Sequence, residues 1–312
     1  MNTKIKYHSV AVRCSELPSV HWAKPADEIF HRWEGTQVWL IDSNDFSIDQ
    51  IRFYAQELSY KELDKASRFH FDKDRIQYIL THGILRELLE KYFQASQSAK
   101  TSHKVTPKSP YDLGIDAEIL FEENEFGKPF MTTSHKVTSK SPCDLNSNIE
   151  FNISHSGNMI LIGFRFCKNN VINANPQIGV DIEKIKPDFD FELVLDEFFT
   201  PKEQEAIWKS ENSSETFFKF WTQKEALVKA TGTGLTDDLK YYNLSAQSFG
   251  TDKKENQLRM AENAFSKFLT KEIFIHSFKI KNSHPLNRQT FAGSIALLDS
   301  DTQLKFFRYN NI

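Results

Sequence analysis

The sequence predicts an α+β fold made of two similar halves, each a small antiparallel sheet packed with helices. Two observations carry this prediction. A capping box that starts a helix occurs twice, as Ser59-x-x-Glu62 and as Thr200-Pro201-x-Glu203. After each box come a short charged helix, a longer helix and then strand-like sequence. This repeated order predicts a pseudo-two-fold pair of halves, with the active site in the cleft between them.

The predicted elements follow the same order in both halves. The long helices are expected over Lys73–Tyr92 and about Glu215–Thr231, and the strands over Glu150–Phe166, Ile273–Ile280 and Thr290–Leu298. A polar, Asn-rich stretch at 169–177 has a proline at position 176 and is typical of a linker. We therefore divide the chain into an N-terminal half, 1–172, and a C-terminal half, 173–312.

Composition excludes several classes of protein. The chain has 312 residues and a formal charge of −3, whereas nucleic-acid-binding domains usually carry a basic excess. The longest apolar run, 159–164, is far shorter than the roughly 20 residues of a membrane span. No secretory signal is expected at the N-terminus. Three cysteines without a CxxC pair predict no disulfide framework, which favours a cytoplasmic protein.

A segment of thirteen residues occurs twice within the N-terminal half. TSHKVTPKSPYDL at 101–113 returns as TSHKVTSKSPCDL at 133–145, with eleven positions identical. Both copies are poor in large apolar residues, so they cannot bury enough surface to offset the entropy of ordering. We interpret them as loop insertions near 97–114 and 132–147. The alternative is a basic docking arm, because each copy carries His and Lys.

Two carboxylates are predicted on one face of a strand. In the segment 178–184 apolar residues alternate with Gly179, Asp181 and Glu183, so the two acids lie side by side, about 7 Å apart at the backbone. Hard oxygen ligands of this kind suit Mg²⁺. The alternative is an exposed strand whose acids are solvated.

A third carboxylate lies on a predicted helix. At about 100° per residue, Glu225 falls on the same side as Phe218, Trp221 and Lys229. A carboxylate among aromatic side chains is costly unless it is paired or bound to a metal. The alternative is an ordinary surface pair between Glu225 and Lys229, one turn apart.

A possible phosphate-binding segment lies at a strand end. Ser154 and His155, followed by Gly157, bring together a hydroxyl, an imidazole and free backbone amides. A turn histidine is the alternative, since Ser and Gly mark turns generally. Upstream, the turn Gly127-Lys128-Pro129 would project a lysine.

Together these segments resemble the phosphopantetheinyl transferase family, in its larger, duplicated, surfactin-synthetase-activating (Sfp-like) type. The matching segments are Lys65-Ala66-Ser67-Arg68-Phe69, Gly127-Lys128-Pro129, Phe151-Asn152-Ile153-Ser154-His155-Ser156, Ile178-Gly179-Val180-Asp181-Ile182-Glu183-Lys184 and Trp221-Thr222-Gln223-Lys224-Glu225-Ala226-Leu227-Val228-Lys229. Two departures exist. The insertions flank the Gly-Lys-Pro turn, and about the last 70 residues match only in general character.

The resemblance implies transfer of 4′-phosphopantetheine from coenzyme A to a serine of an apo acyl or peptidyl carrier protein. The products would be holo-carrier protein and adenosine 3′,5′-bisphosphate. It implies that Asp181, Glu183 and Glu225 hold Mg²⁺, or Mn²⁺ as a substitute, against the pyrophosphate. Lys224 and Lys229 would steady the phosphate charge. Either Glu225 or a metal-bound water would take the serine proton.

The resemblance also implies the contacts to coenzyme A. Its 3′-phosphate and nucleotide end would be held by Ser154, His155, Lys128, Lys65 and Arg68, and its pyrophosphate end would lie near Asp181, Lys224 and Lys229. A monomer is expected, because a fused pair of halves already provides the cleft. Neither nucleic acid nor a membrane is expected as a partner. Fatty-acid, polyketide and peptide synthases all use such carriers, so the pathway stays open.

Two other functions remain open on sequence alone. One is a nuclease or phosphatase that uses the same acids, although two-metal hydrolases usually show denser Asp/His clusters than the ten scattered histidines here. The other is a protein that binds coenzyme A or a carrier without catalysis, which would follow if the insertions disturb the site.

Overall fold

A computed structural model describes most of the chain. The described residues are 7–26, 29, 35–98, 119–123, 129–133, 149–166, 178–232, 239–240, 242–245, 256–261, 272–282, 289–298 and 303–309. Several predictions fall outside them: the repeat at 101–113, positions 134–145 of its second copy, Lys128, and the linker at 169–177.

The described chain contains both strands and helices, so the α+β prediction is confirmed. The strands are β1 (Tyr7–Leu17), β2 (Thr36–Asp42), β3 (Ile119–Glu123), β4 (Pro129–Thr133), β5 (Ile149–Ser156), β6 (Met159–Phe166), β7 (Ile178–Lys184), β8 (Asn256–Ala261), β9 (Glu272–Asn282), β10 (Gln289–Leu298) and β11 (Leu304–Arg308). The helices are α1 (Ile48–Gln56), α2 (Tyr60–Ser67), α3 (Asp72–Ser98), α4 (Glu192–Phe198), α5 (Pro201–Trp208) and α6 (Ser213–Thr231).

Both predicted capping boxes are present. The Ser59 side chain accepts a hydrogen bond from the backbone of Glu62, whose carboxylate accepts one from the backbone of Ser59. Thr200 and Glu203 form the same reciprocal pair at the start of α5. The chain leaves α6 at Gly232 with φ of 64°, a left-handed conformation that glycine adopts without a Cβ clash. The two helix starts predicted from the capping boxes are therefore confirmed, and α6 ends at Thr231 as expected.

Three strands in each large sheet follow one order. The four-stranded sheet has the order β11-β2-β6-β5, the five-stranded sheet β7-β10-β9-β1-β8, and β3 pairs with β4 in a separate hairpin. In the trio β2-β6-β5 the first strand pairs antiparallel with the second strand of a hairpin. The trio β7-β10-β9 repeats this arrangement. In both trios three helices follow the first strand along the chain.

The two terminal strands lie in the sheet of the other half. β1 pairs in parallel with β9, and β11 pairs in parallel with β2. The prediction of an antiparallel sheet in each half is therefore wrong for these two pairings, which make both sheets mixed, and it holds for the other pairings of the two large sheets. The division at 172/173 stays a prediction, but the sheets do not follow it, because each receives one strand from the far end of the chain.

The elements stack in four layers, with the two sheets in the middle. Between the sheets, Leu40 and Leu161 pack in one apolar cluster with Val180 and Ile295. On the outer face of the four-stranded sheet, α3 completes a second buried cluster around Trp39. On the outer face of the five-stranded sheet, α6 packs against β1, β9 and β10. Burial of this apolar surface is the main favourable contribution to folding.

Edge strands β5 and β7 run side by side where the two sheets meet, and side chains join them. Alternate residues of β5 accept hydrogen bonds from alternate backbone N–H groups of β7. The bonds are Val180 N to Asn152 Oδ1 (2.7 Å), Ile182 N to Ser154 Oγ (3.3 Å) and Lys184 N to Ser156 Oγ (3.0 Å). We call these three β5 residues the edge comb. It satisfies backbone donors at the edge of the five-stranded sheet.

Candidate active site

Strand β7 separates an apolar face from an acidic one. Ile178, Val180 and Ile182 are buried between the two sheets. The intervening residues Asp181 and Glu183 face α6. This division follows the alternation predicted from the sequence, so the two carboxylates do share one face.

A glycine brings α6 very close to this strand. A Cβ atom on Gly179 would lie 1.9 Å from the carbonyl oxygen of Ala226 and 2.4 Å from the backbone nitrogen of Ala230. Both atoms belong to the helix backbone, which cannot turn away as a flexible side chain can. Only a hydrogen atom fits here. The close approach sets α6, with Glu225 and Lys229, directly against the acidic face of β7.

Asp181 is at the centre of the site. It is 3% exposed. Its Oδ1 accepts hydrogen bonds from the Ser154 hydroxyl at 2.8 Å and from Lys229 Nζ at 2.6 Å. Its Oδ2 is buried and has no hydrogen-bond partner within the described residues. A buried carboxylate oxygen without a partner is costly, so this atom is suited to a further ligand.

Glu183 and Glu225 add negative charge to the same site. Ser156 donates a hydrogen bond to Glu183 Oε2 at 2.7 Å. Burial raises the pKa of Glu183 above its ordinary value, and the charge of Asp181 adds to that rise. Burial, and then the charge of Asp181, raises the pKa of Glu225 to about 7. Lys229 opposes both shifts but does not cancel them, so the site has an excess of acid.

The donor chemistry of these carboxylates fits a divalent cation. As they stand, no group of three or more His, Cys, Asp or Glu side chains in the described ranges is arranged as a metal site. The oxygens are nevertheless hard ligands of the type that Mg²⁺ prefers. The unpartnered Oδ2 of Asp181 and the raised pKa of Glu225 both indicate that positive charge would be stabilised here.

Lys229 and Ser154 both lie at this site. Lys229 Nζ lies 3.0 Å from Ser154 Oγ, in addition to its contact with Asp181. Lys229 was predicted at the phosphates and lies beside the carboxylates. Ser154 was predicted at the nucleotide end, but its hydroxyl hydrogen is directed at Asp181. A hydroxyl has one hydrogen to donate, so Ser154 donates it to the carboxylate and not to a nucleotide phosphate.

Lys224 is not brought to the carboxylates. It is 1% exposed, and its Nζ donates to the carbonyl oxygens of Leu239 (2.9 Å) and Tyr242 (2.6 Å). Its Nζ also lies 3.0 Å from Glu203 Oε2. Burial lowers the pKa of Lys224, while the Glu203 carboxylate raises it. Consecutive helical residues point about 100° apart, so Lys224 enters the core beside α5 while Glu225 faces β7.

Three of the predicted nucleotide contacts, His155, Lys65 and Arg68, lie outside the site between β7 and α6. His155 alternates with the edge comb, so it points away from β7. Partial burial and then the charge of Lys229 lower the pKa of His155, whereas Asp74 raises it. On α2, Lys65 Nζ lies 5.6 Å from the centre of the Tyr78 ring, and exposed Arg68 pairs with Asp64.

Three residues were not predicted from the sequence: Asn152, which joins β5 to β7 beside the site, Ser156, which bonds Glu183, and Gly179, a packing position. The signal for the first two was present, because Asn152, Ser154 and Ser156 alternate as polar residues along β5. This pattern indicates a polar strand face, but not which strand it meets.

Comparisons with known proteins point to one family. Residues 177–286 match the family model described as the 4′-phosphopantetheinyl transferase superfamily. The chain is 31% identical over 189 residues to 4′-phosphopantetheinyl transferase HetI of Nostoc sp., covering 60% of this chain and 64% of that protein. It is 33% identical over 143 residues to 4′-phosphopantetheinyl transferase gsp of Aneurinibacillus migulanus, covering 45% and 46%.

A third relative is covered more fully. The chain is 30% identical over 197 residues to a 4′-phosphopantetheinyl transferase of Bacillus subtilis, covering 62% of this chain and 68% of that protein. The aligned parts therefore span less than two thirds of the HetI and gsp proteins and slightly more than two thirds of the Bacillus subtilis protein.

Proposed function

We propose a function for this chain on the basis of its family, the 4′-phosphopantetheinyl transferase superfamily, to which it belongs. The resemblance inferred from its motifs, including the Sfp-like type, is thereby confirmed. The proposed reaction moves the 4′-phosphopantetheine group of coenzyme A to a serine of an apo acyl or peptidyl carrier protein. The observation that carries this proposal is the meeting of Asp181, Glu183, Glu225 and Lys229 between β7 and α6.

The active site is proposed to lie in a cleft between two pseudo-two-fold halves. The shared strand order of β2-β6-β5 and β7-β10-β9 supports the duplication. The contribution of Ser154 and Ser156 from β5 to carboxylates on β7 supports a site at the junction. Ligand sites are common between related halves.

Asp181, Glu183 and Glu225 are proposed to hold Mg²⁺, for which Mn²⁺ would substitute. When bound, the cation would neutralise charge on the pyrophosphate of coenzyme A. The three acids come from two elements fixed against each other at Gly179, so their positions are set before substrate binds.

Glu225 is proposed to accept the proton of the carrier serine. The serine Oγ forms a bond to the β-phosphorus of coenzyme A as the bond from that phosphorus to the bridging oxygen breaks, and adenosine 3′,5′-bisphosphate leaves. The charges of Asp181 and Glu183 act on Glu225, so this carboxylate lies at the same site as the other proposed metal ligands, where the attacking hydroxyl would be held. Lys229 is proposed to hold charge on the transferred phosphate.

His155, Lys65 and Arg68 are proposed to hold the 3′-phosphate of coenzyme A, and Lys128 is proposed to join them. Lys224 is left out of the substrate contacts because it is bound to Glu203. We expect His155→Ala to raise the KM for coenzyme A more than the KM for dephospho-coenzyme A, which lacks that phosphate. Equal changes in the two KM values would remove His155 from the 3′-phosphate.

A mass measurement tests the proposed function. The full chain is incubated with coenzyme A, Mg²⁺ and apo-carrier proteins of fatty-acid, polyketide and peptide synthases, and each carrier is weighed by mass spectrometry. A phosphopantetheine adduct, absent with EDTA, is expected on at least one carrier. No adduct on any carrier would overturn the proposal. Release of adenosine 3′,5′-bisphosphate without a carrier would favour a hydrolase, and binding of coenzyme A without either product a non-catalytic protein.

The proposed setting is a cytoplasmic monomer that acts on carrier proteins and not on nucleic acid or membranes. Across the described ranges, none of the helices is both long and apolar enough to span a membrane.

A further inference from the structure

We propose that Ser154 and Ser156 are positioning residues that orient the Asp181 and Glu183 carboxylates and thereby set the affinity of the site for its divalent cation. This inference rests on the proposed function, in which those carboxylates are metal ligands. It gives Ser154 a role different from a nucleotide contact and gives Ser156 a role for the first time.

Each serine makes the same two hydrogen bonds with β7, and Ser154 Oγ accepts a further one from Lys229 Nζ at 3.0 Å. Ser154 Oγ accepts from the N–H of Ile182 at 3.3 Å and donates to Asp181 Oδ1 at 2.8 Å. Ser156 Oγ accepts from the N–H of Lys184 at 3.0 Å and donates to Glu183 Oε2 at 2.7 Å. In both cases the hydroxyl bridges the backbone of one β7 residue and the carboxylate of the residue before it.

This double bonding fixes the direction of each hydroxyl hydrogen. A serine hydroxyl has one hydrogen and two lone pairs. The β7 N–H group occupies one lone pair of each serine oxygen, Lys229 occupies the other lone pair of Ser154, and the hydrogen of each hydroxyl is directed at the carboxylate. Hydrogen bonds to an ionised acceptor are shorter and stronger than neutral ones. The backbone of β7 therefore determines, through the serine, where one oxygen of each carboxylate lies.

The second oxygen of the carboxylate is left to a ligand. Ser154 and Lys229 occupy Oδ1 of Asp181, whereas Oδ2 is buried and unpartnered in the described part of the chain. Groups that hydrogen-bond a metal ligand commonly orient it and raise its affinity for the metal. The arrangement at Asp181 matches that role: one oxygen is anchored and the other is presented.

The third member of the edge comb provides an internal control. Asn152 is 3% exposed and accepts from the N–H of Val180 at 2.7 Å, so it joins β5 to β7 as the serines do. The β7 residue before Val180 is Gly179, which has no side chain to orient. Asn152 thus performs the joining role alone, and the serines add the carboxylate contact.

The test measures binding of Mn²⁺ to the full chain, with coenzyme A present and no carrier protein, from the electron paramagnetic resonance signal of free Mn²⁺. We expect Ser156→Ala to weaken Mn²⁺ binding by about 10- to 100-fold. Ser156→Thr, which keeps the hydroxyl, should bind Mn²⁺ nearly as the unchanged chain does. Asn152→Ala should lower the thermal unfolding midpoint and leave the Kd for Mn²⁺ unchanged. Ser154→Ala should also weaken Mn²⁺ binding, but it removes a contact with Lys229 as well, so Ser156→Ala is the cleaner variant.

Three results would overturn the inference: Mn²⁺ binding by Ser156→Ala equal to that of the unchanged chain, an equal loss in Asn152→Ala, or no Mn²⁺ binding by the unchanged chain. The second would mean that the comb only joins the strands. Failure of the proposed function gives a different result. If the serine variants weaken Mn²⁺ binding as expected but no carrier protein gains an adduct, the serines still position a cation site, and the protein has another activity.

Discussion

Two stretches of the long helices share a pattern of charge but have opposite surroundings. Positions 86–91 on α3 and 224–229 on α6 each begin with a cation followed by a glutamate, and each ends with a lysine four residues after that glutamate. Their strands and helices are also arranged in the same order. Differences between the two stretches therefore show what distinguishes the proposed active half from its counterpart.

The first position of each stretch has the same role. Arg86 forms two hydrogen bonds with the buried carboxylate of Glu62, in the first turn of α2. Lys224 pairs with Glu203, in the first turn of α5. Each capping-box glutamate thus receives a cation from the following long helix. Because buried charges need partners, both halves meet the same requirement in the same way.

The second position differs between the halves. Glu87 accepts hydrogen bonds from the hydroxyls of Tyr54 (2.8 Å) and Tyr309 (2.6 Å) and pairs with Lys91 at 2.8 Å. Glu225 instead faces two further acids, and its lysine, Lys229, is bonded to Asp181. The glutamate at this position is therefore paired with nearby side chains in one half, whereas in the other half it is repelled by two neighbouring carboxylates.

The strands beneath the helices explain the difference. β2 presents Trp39 and Ile41 to α3, and both are fully buried in the apolar cluster. β7 presents Asp181 and Glu183 to α6. One half is therefore a closed core, while the other carries unbalanced charge that a cation and phosphates would balance. Local rules of stability are most often broken at functional sites.

Breaking the shared ion pairs should produce the largest loss of stability, and an equal one in both halves. Removing one partner of a buried pair leaves an unpaired charge, so Arg86→Met and Lys224→Met should each lower the free energy of unfolding by about 3–5 kcal/mol. Urea denaturation measures this. Adding Glu203→Gln to Lys224→Met should restore part of the loss. A loss under 1 kcal/mol in one half alone would break the equivalence of the two pairs.

Neutralising the second position should separate the halves by activity. Glu225→Gln should lower kcat for carrier modification by about 100-fold or more, because it removes a proposed base and metal ligand. The matched control Glu87→Gln should retain kcat and lose stability, since it weakens a tyrosine-bonded carboxylate. Carrier mass spectrometry and urea denaturation read the two effects. A similar kcat for both variants would place the chemistry elsewhere.

Adding one methyl group should test the close approach at β7. Gly179→Ala would place a Cβ 1.9 Å from a backbone carbonyl, and Gly83→Ala would place one 2.7 Å from Tyr54 Cβ. Each should cost about 1–3 kcal/mol through overpacking. Only Gly179→Ala should also lower kcat, because it displaces α6 from the acids. The assay is run at a temperature well below the unfolding midpoint, so that both variants are folded. Loss of kcat in Gly83→Ala as well would show that the halves are coupled.

The smallest effect is expected at the helix caps. Ser59→Ala and Thr200→Ala each remove a hydroxyl that caps a helix and bonds a buried glutamate. Each should lower the free energy of unfolding by about 1 kcal/mol. Thermal and urea unfolding of both variants check it. Clearly unequal losses would mean that the two capping boxes do not contribute equally to the free energy of unfolding.

Local signals in the sequence predicted the parts of the fold that depend on near neighbours. Capping boxes placed the starts of α2 and α5, and alternation placed Asp181 and Glu183 on one face. The destination of Lys224 was missed, because helical spacing gives the direction of a side chain but not the distant carboxylate that meets it. The edge comb and the exchange of β1 and β11 depend likewise on contacts between segments far apart in the chain.

The placement of β1 has a consequence for the order of events during synthesis. Ser15 on β1 aligns with His276 on β9, which follows 261 positions later. At a synthesis rate of about 5–20 residues per second, His276 is added roughly 13–50 s after Ser15. Such long-range pairings slow folding. A nascent chain should therefore acquire resistance to protease only after residue 282 has emerged from the ribosome, and not when the first 172 residues are complete.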